Sequence, residues 1–130
     1  MKHCMVDNET LDTTATAVII SIGAVKFDLD SNDLDNDGFY ASISINDQLA
    51  MGRTISESTL VWWMGQEKAA QQVFVEPKQS LESALVSLSD WLSHNKRFMW
   101  SNGADFDLPM LAHAYASYGM TVPWEFWNSR

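Results

Sequence analysis

The sequence predicts one mixed α/β domain, residues 1–130, in which helices pack on a single sheet. Three observations carry this. The opening third is dense in β-branched residues and period-two alternation, the middle switches to helical spacing, and alternation returns briefly near residue 98 before another helical stripe. With 130 residues, 46% hydrophobic and 19% charged, the chain suits one domain with a core and is too short for two. Six Trp, six Phe and three Tyr are far too many for a disordered tail.

Lys2 to Val6 reads as a short strand running into Asp7. Ala17 to Phe27 (AVIISIGAVKF) is the strongest strand signal in the chain. A polar segment from Asp28 to Gly38 reads as a hairpin turn, and Phe39 to Ile45 alternates as a third strand. Ser56 can cap a helix with Leu60, Trp63 and Met64 on one stripe, loosened at its end by Gly65. Pro77 and Ser80 precede a clearer helix carrying Leu81, Leu85, Leu88 and Leu92, widened by Trp91. Arg97 to Ser101 reads as a fourth strand, broken by Asn102 and Gly103. A last helix begins near Asp107, tolerates Pro109 in its first turn, and carries Leu111, Ala114, Tyr115 and Tyr118. The tail holds Pro123, Trp124, Phe126 and Trp127 with no clear period.

Composition narrows the function classes. A single cysteine, Cys4, allows no intramolecular disulfide, and the N-terminus reaches Asp7 before any apolar run could form a signal peptide. The longest apolar stretch is interrupted by Thr16, Ser21 and Lys26, so no membrane role is expected and a cytoplasmic setting is. The net charge is −9, and residues 1–47 hold nine acids against two bases. Such a protein does not bind nucleic acid by blanket phosphate neutralisation; divalent metal would have to supply the positive charge.

Asp7 and Glu9 sit two apart at a strand end, so both carboxylates share a face. Like charges held this close call for a cation, although a solvated strand end is the plainer reading of Asp-x-Glu alone. Asp107 opens a helix after a strand and a Gly turn, where an acid also caps favourably. If the first and fourth strands are neighbours, the three carboxylates converge into a site for one or two metals.

Met5 to Leu11 (MVDNETL), followed by the Ala17–Phe27 run, resembles the opening of DEDD-type 3′→5′ exonucleases of the RNase T-like and phage exonuclease branch. Asn102 to Asp107 (NGADFD) resembles that family's second motif, and Leu60 to Met64 (LVWWM) and Pro123 to Asn128 (PWEFWN) are also similar to that branch. The resemblance implies an RNase H-like fold, with an antiparallel three-strand meander, a parallel fourth strand and a C-terminal part lying beyond this chain. It implies a hydrolase that removes nucleoside monophosphates from the 3′ end of single-stranded DNA or RNA. It assigns Asp7, Glu9 and Asp107 as catalytic ligands of a two-metal Mg²⁺ or Mn²⁺ site. Thr10 and Leu11 would lie against the terminal nucleotide, with backbone contacts to its 3′-OH, and Asn102 and Phe106 would line the same cleft. Asp107 ranks above the neighbouring Asp105 because it follows the Phe.

The departures from the family pattern define a second expectation. Its third motif, a His or Tyr with a fourth Asp on a late helix, is not found before Arg130. His113 lies roughly 120° around its helix from Asp107, and His3 about 13 Å along the strand from Asp7. His94 ends the middle helix, and for all three histidines core packing or surface is the better reading. The alternative function is therefore a catalytically incomplete domain that binds metal or nucleotide without cleaving. Asn8 stands where the family usually has an apolar residue, which is expected to loosen the first strand; Asp12 stands where Gly is common. Trp124, Phe126 and Trp127 are expected to be exposed, offering a surface for a homo-oligomer. Two weaker signals remain. Asp33 to Gly38 (DLDNDG) matches half of a calcium loop but has Ser44 at its twelfth position, and reads as an acidic hairpin. Of Trp62 and Trp63, one must be core at helical spacing, leaving the other to stack a base.

Overall fold

A computed structural model describes residues 2–30, 38–93, 98–103, 106–124 and, for the backbone, 126–129. The sheet has five strands in the order β3-β2-β1-β4-β5. β1 (His3–Thr10), β2 (Ile19–Phe27) and β3 (Phe39–Ser42) form the antiparallel meander, while β4 (Phe98–Ser101) runs parallel to β1 and β5 (Phe126–Ser129) parallel to β4. The expected architecture is thus present, with a fifth strand on the β4 edge. The calcium-like loop, Asp105 and His94 lie outside the described residues.

β1 explains the layout. Cys4, Val6, Asn8 and Thr10 point to the buried side, while Met5 and Asp7 are exposed and His3 and Glu9 half-buried on the other. The strand runs four residues beyond Val6, because alternation continues through Asp7 and Glu9 even though their charge hides it in the sequence. The buried side meets α4 (Leu81–Leu92) and α5 (Asp107–Ser117). Leu81, Ala84, Leu85, Leu88 and Leu92 interlock there with Val6, Ile22, Met99, Leu108, Leu111 and Tyr115. Ser80, which precedes this helix in the sequence reading, caps α4 by accepting from Ser83 N–H.

A bulge between Glu9 and Thr10 shifts the β1–β2 register, pairing Glu9 with Ser21 and Thr10 with Ile19. The extra residue, Ile20, turns away from the α4/α5 core that Ile19 and Ile22 share. It joins a second cluster with Leu11, Val18, Trp63 and Val73. That cluster seats α2 (Glu57–Met64), α3 (Lys68–Gln71) and a 3₁₀ turn (Gln72–Phe74) beside the acidic end of β1. Ser56 caps α2 through Thr59 N–H as expected, but the expected stripe is wrong. Only Trp63 is buried, whereas Leu60 and Met64 are exposed, because the helix covers a small satellite core rather than the main one.

Two further elements depart from the sequence reading. β3 ends at Ser42, and α1 (Asn46–Ala50) follows, placing Gln48 fully inside. The Gln48 side chain accepts from Ile19 N–H at 2.8 Å and donates to the carbonyls of Ile19 and Ser44 at 2.7 and 2.8 Å. It completes the edge of β2 as a neighbouring strand would. Trp124, expected to be exposed, is buried and packs edge-on against Tyr115 at 5.7 Å, so it belongs to the core and not to an oligomer surface. The side chains of Phe126 and Trp127 lie outside the described residues.

Gln48→Leu should lower unfolding stability by about 3 kcal/mol, since it strands several buried backbone groups while keeping the apolar volume. Urea denaturation of the two proteins checks this; a loss below about 1 kcal/mol would mean that water replaces the amide.

Candidate active site

β1, α2 and the start of α5 meet at a cleft of about 340 Å³, lined by Glu9, Thr10, Ser58, Thr59, Trp62 and Phe106, among others. Asp7 and Glu9 share the face of β1 turned away from α4 and α5. Across from Asp7 on β2 stands Gly23, which places no side chain beside that carboxylate.

Asp107 comes from the other side. β4 pairs with β1 only as far as Met5, so the edge of β1 beyond it needs another partner. Asp107 provides it. Asn8 N–H donates to Asp107 Oδ1 at 3.4 Å, and Asn8 Nδ2 donates to the Asp107 carbonyl at 2.9 Å. The expectation that Asn8 loosens the strand is overturned: its amide ties β1 to the first residue of α5. Its Oδ1 is buried with no hydrogen-bond partner.

The three acids feel one another. Burial raises the Asp7 carboxyl above the ordinary aspartate range. Glu9 is raised by burial, then by Asp7 and Asp107. Asp107 is pushed up to about 6, chiefly by burial and further by Asp7, against the opposing pull of the Asn8 N–H. Asp7, Glu9 and Asp107 are therefore one electrostatic unit, and they are the residues that could hold a cation. Among the described residues, no three Asp, Glu, His or Cys side chains are already gathered as a ligand cluster.

The expected nucleotide contacts divide. Thr10 and Phe106 line the cleft. Leu11 does not: its side chain is 1% exposed in the second core, its N–H donates to Val18 and its carbonyl accepts from Ser56. Its side chain is therefore turned into the core and not toward the cleft. Asn102 stands exposed in the turn after β4 and is not among the residues lining this cleft.

The histidines are engaged elsewhere. His3 stacks between Phe27 and Phe98 and accepts from Trp100 Nε1. His113 Nδ1 lies 3.2 Å from Arg53, whose guanidinium also donates to the carbonyls of Ala15 and Ala17.

The sequence reading missed a second lobe of about 290 Å³ beside the first, walled by Ser21, Tyr40, Ala69, Ala70, Val73 and Glu76 and sharing Glu9, Trp62 and Trp63 with it. Period-two alternation already placed Tyr40 on the polar side of its strand. Nothing in the sequence marked Glu76.

Two outcomes test this site. A carboxyl raised by folding stabilises the fold only while protonated, and the contribution is lost as pH rises through its folded value near 6. In metal-free buffer, Asp107→Asn should therefore raise stability at pH 8, by on the order of 3 kcal/mol, and leave it unchanged near pH 3. Thermal melts at the two pH values check this. Leu11→Ala should cost about 2–5 kcal/mol of stability. Titration of the folded variant with AMP should give unchanged affinity; a large loss would return Leu11 to the cleft.

The family model for the Rv2179c-like 3′-5′ exoribonuclease domain matches residues 2–130. No curated protein matches the chain. Among solved structures, a zinc-bound complex of E. coli exonuclease I with single-stranded DNA superposes with a TM-score of 0.69 at 10% identity, covering 97% of this chain and 27% of the other. A product-bound exonuclease I gives 0.68 at 10% identity, with 97% and 29% covered. The chain thus spans less than a third of the length of these two neighbours, and they support the RNase H-like fold alone. The match over nearly the whole chain, with its acidic strand end and Phe-Asp turn in place, makes this protein a member of the Rv2179c-like 3′-5′ exoribonuclease domain family.

Proposed function

We propose that this domain hydrolyses single-stranded nucleic acid from its 3′ end, releasing nucleoside monophosphates, with RNA as its substrate. The observation that carries the reading is the electrostatic coupling of Asp7, Glu9 and Asp107 beside a cleft walled by Phe106 and Trp62. The family's description favours RNA over DNA.

The donor set fits a hard divalent cation, Mg²⁺ or Mn²⁺. It is all carboxylate, it is partly desolvated, and Asp7 raises the proton affinity of both Glu9 and Asp107, an unfavourable state that positive charge relieves. When bound, a pair of such ions would supply Lewis acidity and an activated water for in-line displacement at phosphorus. Asp7 and Glu9 would hold them from the strand. Asp107 would contribute from the start of α5, where the Asn8 N–H donates to its Oδ1 and orients the carboxyl. Thr10, Ser58 and Thr59 bring hydroxyls to the cleft wall, and Phe106 and Trp62 bring rings on which a base can stack.

A second reading has its own observation. Among the described histidines, His3 and His113 are both committed to packing partners, so neither serves as general base. On that reading the domain binds metal and nucleotide but does not turn over.

A 5′-labelled single-stranded RNA incubated with Mn²⁺ decides between them. A ladder shortening from the 3′ end, abolished by Asp7→Ala and by chelation, supports the exonuclease. Mn²⁺ binding that depends on Asp7 but gives no ladder supports the binding domain. A ladder that survives Asp7→Ala refutes the site.

A further inference from the structure

We propose that Asn8 is a positioning residue for the cation site. Its carboxamide fixes Asp107 against Asp7 and Glu9, and so sets how tightly the three carboxyls hold a divalent ion. This rests on the metal-dependent reading above and goes beyond it by giving a role to the residue between the two strand acids.

The three carboxyls come from elements that the sheet does not join. Asp7 and Glu9 are carried by β1, whereas Asp107 opens α5. β4, the strand that precedes α5, pairs with β1 only through Met5 and stops short of Asp7. α5 also begins without a side-chain cap, and the amides of Phe106 and Asp107 turn back to the Gly103 carbonyl just upstream. Neither the strand ladder nor the start of the helix therefore ties Asp107 to β1. Asn8 supplies that tie. Its Nδ2 donates to the Asp107 carbonyl at 2.9 Å, beside the longer bond of 3.4 Å from its N–H to Asp107 Oδ1.

The side chain is suited to placement rather than to stability. Asn8 is 5% exposed on the core side of the sheet, and its Oδ1 is buried without a hydrogen-bond partner. The carboxamide thus makes one good bond and leaves one acceptor unmet, and the two effects are of similar size. Leucine branches at the same carbon and would leave no acceptor stranded. What it lacks is direction, because an apolar contact does not fix the distance between β1 and the Asp107 backbone. Ligating carboxyls must be held to within about 0.5 Å of their working positions. Groups that orient a metal ligand commonly change affinity by about 10–100-fold when removed.

The main-chain bond from Asn8 N–H is open to any residue at this position, so substitution removes the carboxamide's share alone.

Mn²⁺ titration followed by electron paramagnetic resonance, with thermal melts in metal-free buffer, tests this on the whole chain. Asn8→Leu should bind Mn²⁺ about tenfold more weakly while its Tm stays within about 5 °C of the parent. Asn8→Ala serves as a second variant should leucine overfill the site. Asp107→Asn should weaken Mn²⁺ by itself, and adding Asn8→Leu to it should weaken Mn²⁺ no further, because Asn8 acts through Asp107. Unchanged Mn²⁺ affinity in Asn8→Leu would overturn the proposal, as would a full tenfold loss in the Asp107→Asn background. Failure of both Asn8 variants to fold would overturn it too, by making Asn8 a residue of the fold. A parent that binds no Mn²⁺ would overturn the metal-dependent reading itself, a result distinct from binding that ignores Asn8.

Discussion

Everything in this domain turns on one strand having to satisfy two environments. β1 lies at the middle of the sheet, and its alternation sends Cys4 and Val6 into the helix-packed core while Asp7 and Glu9 face solvent on the opposite side. The pleat that stabilises the fold is thus the device that aligns the acids. Asn8, between them, belongs to the buried side and uses that position to hold Asp107. A single-residue slip of β1 would bury the acids and expose the core, so register and chemistry are selected together.

The acidic corner is unfavourable on its own terms. Burial acts on all three carboxyls, and repulsion adds to it at Glu9 and Asp107. The Arg53 guanidinium braces the turn after β1 against α5, and Gln48 closes the end of β2. Both are buried polar groups with their hydrogen bonds met. The strongest anchors thus lie beside the site rather than within it, leaving the acids free to respond to charge.

Much of this was legible in the sequence. Hydrophobic period fixed α4 and α5, the Ser56 and Ser80 caps marked helix starts, and Asp7, Glu9 and Asp107 were chosen by spacing and motif. What failed did so for physical reasons. Leu11 lies past the end of β1, where strand alternation no longer tells which way a side chain turns. α1 and α3 are too short for periodicity to report them. Asn8 looked like a defect because its partner, the Asp107 carbonyl, is a tertiary feature. Trp124 looked like a loose aromatic because it lies in no regular element, and Tyr115, which covers it, sits on α5.

The bond between Asn8 and Asp107 spans 99 positions of the chain. During synthesis the meander and its helices can form early, from contacts between neighbours in sequence. The parallel pairing of β4 on β1 must wait for nearly the whole domain to emerge, and long-range parallel closure is the slow kind of folding event. Asp7 and Glu9 are consequently made first and completed last. The nascent chain carries two unpartnered acids on an open strand edge until α5 arrives to cover it. Assembly of the acidic triad is therefore a late event in the folding of this domain.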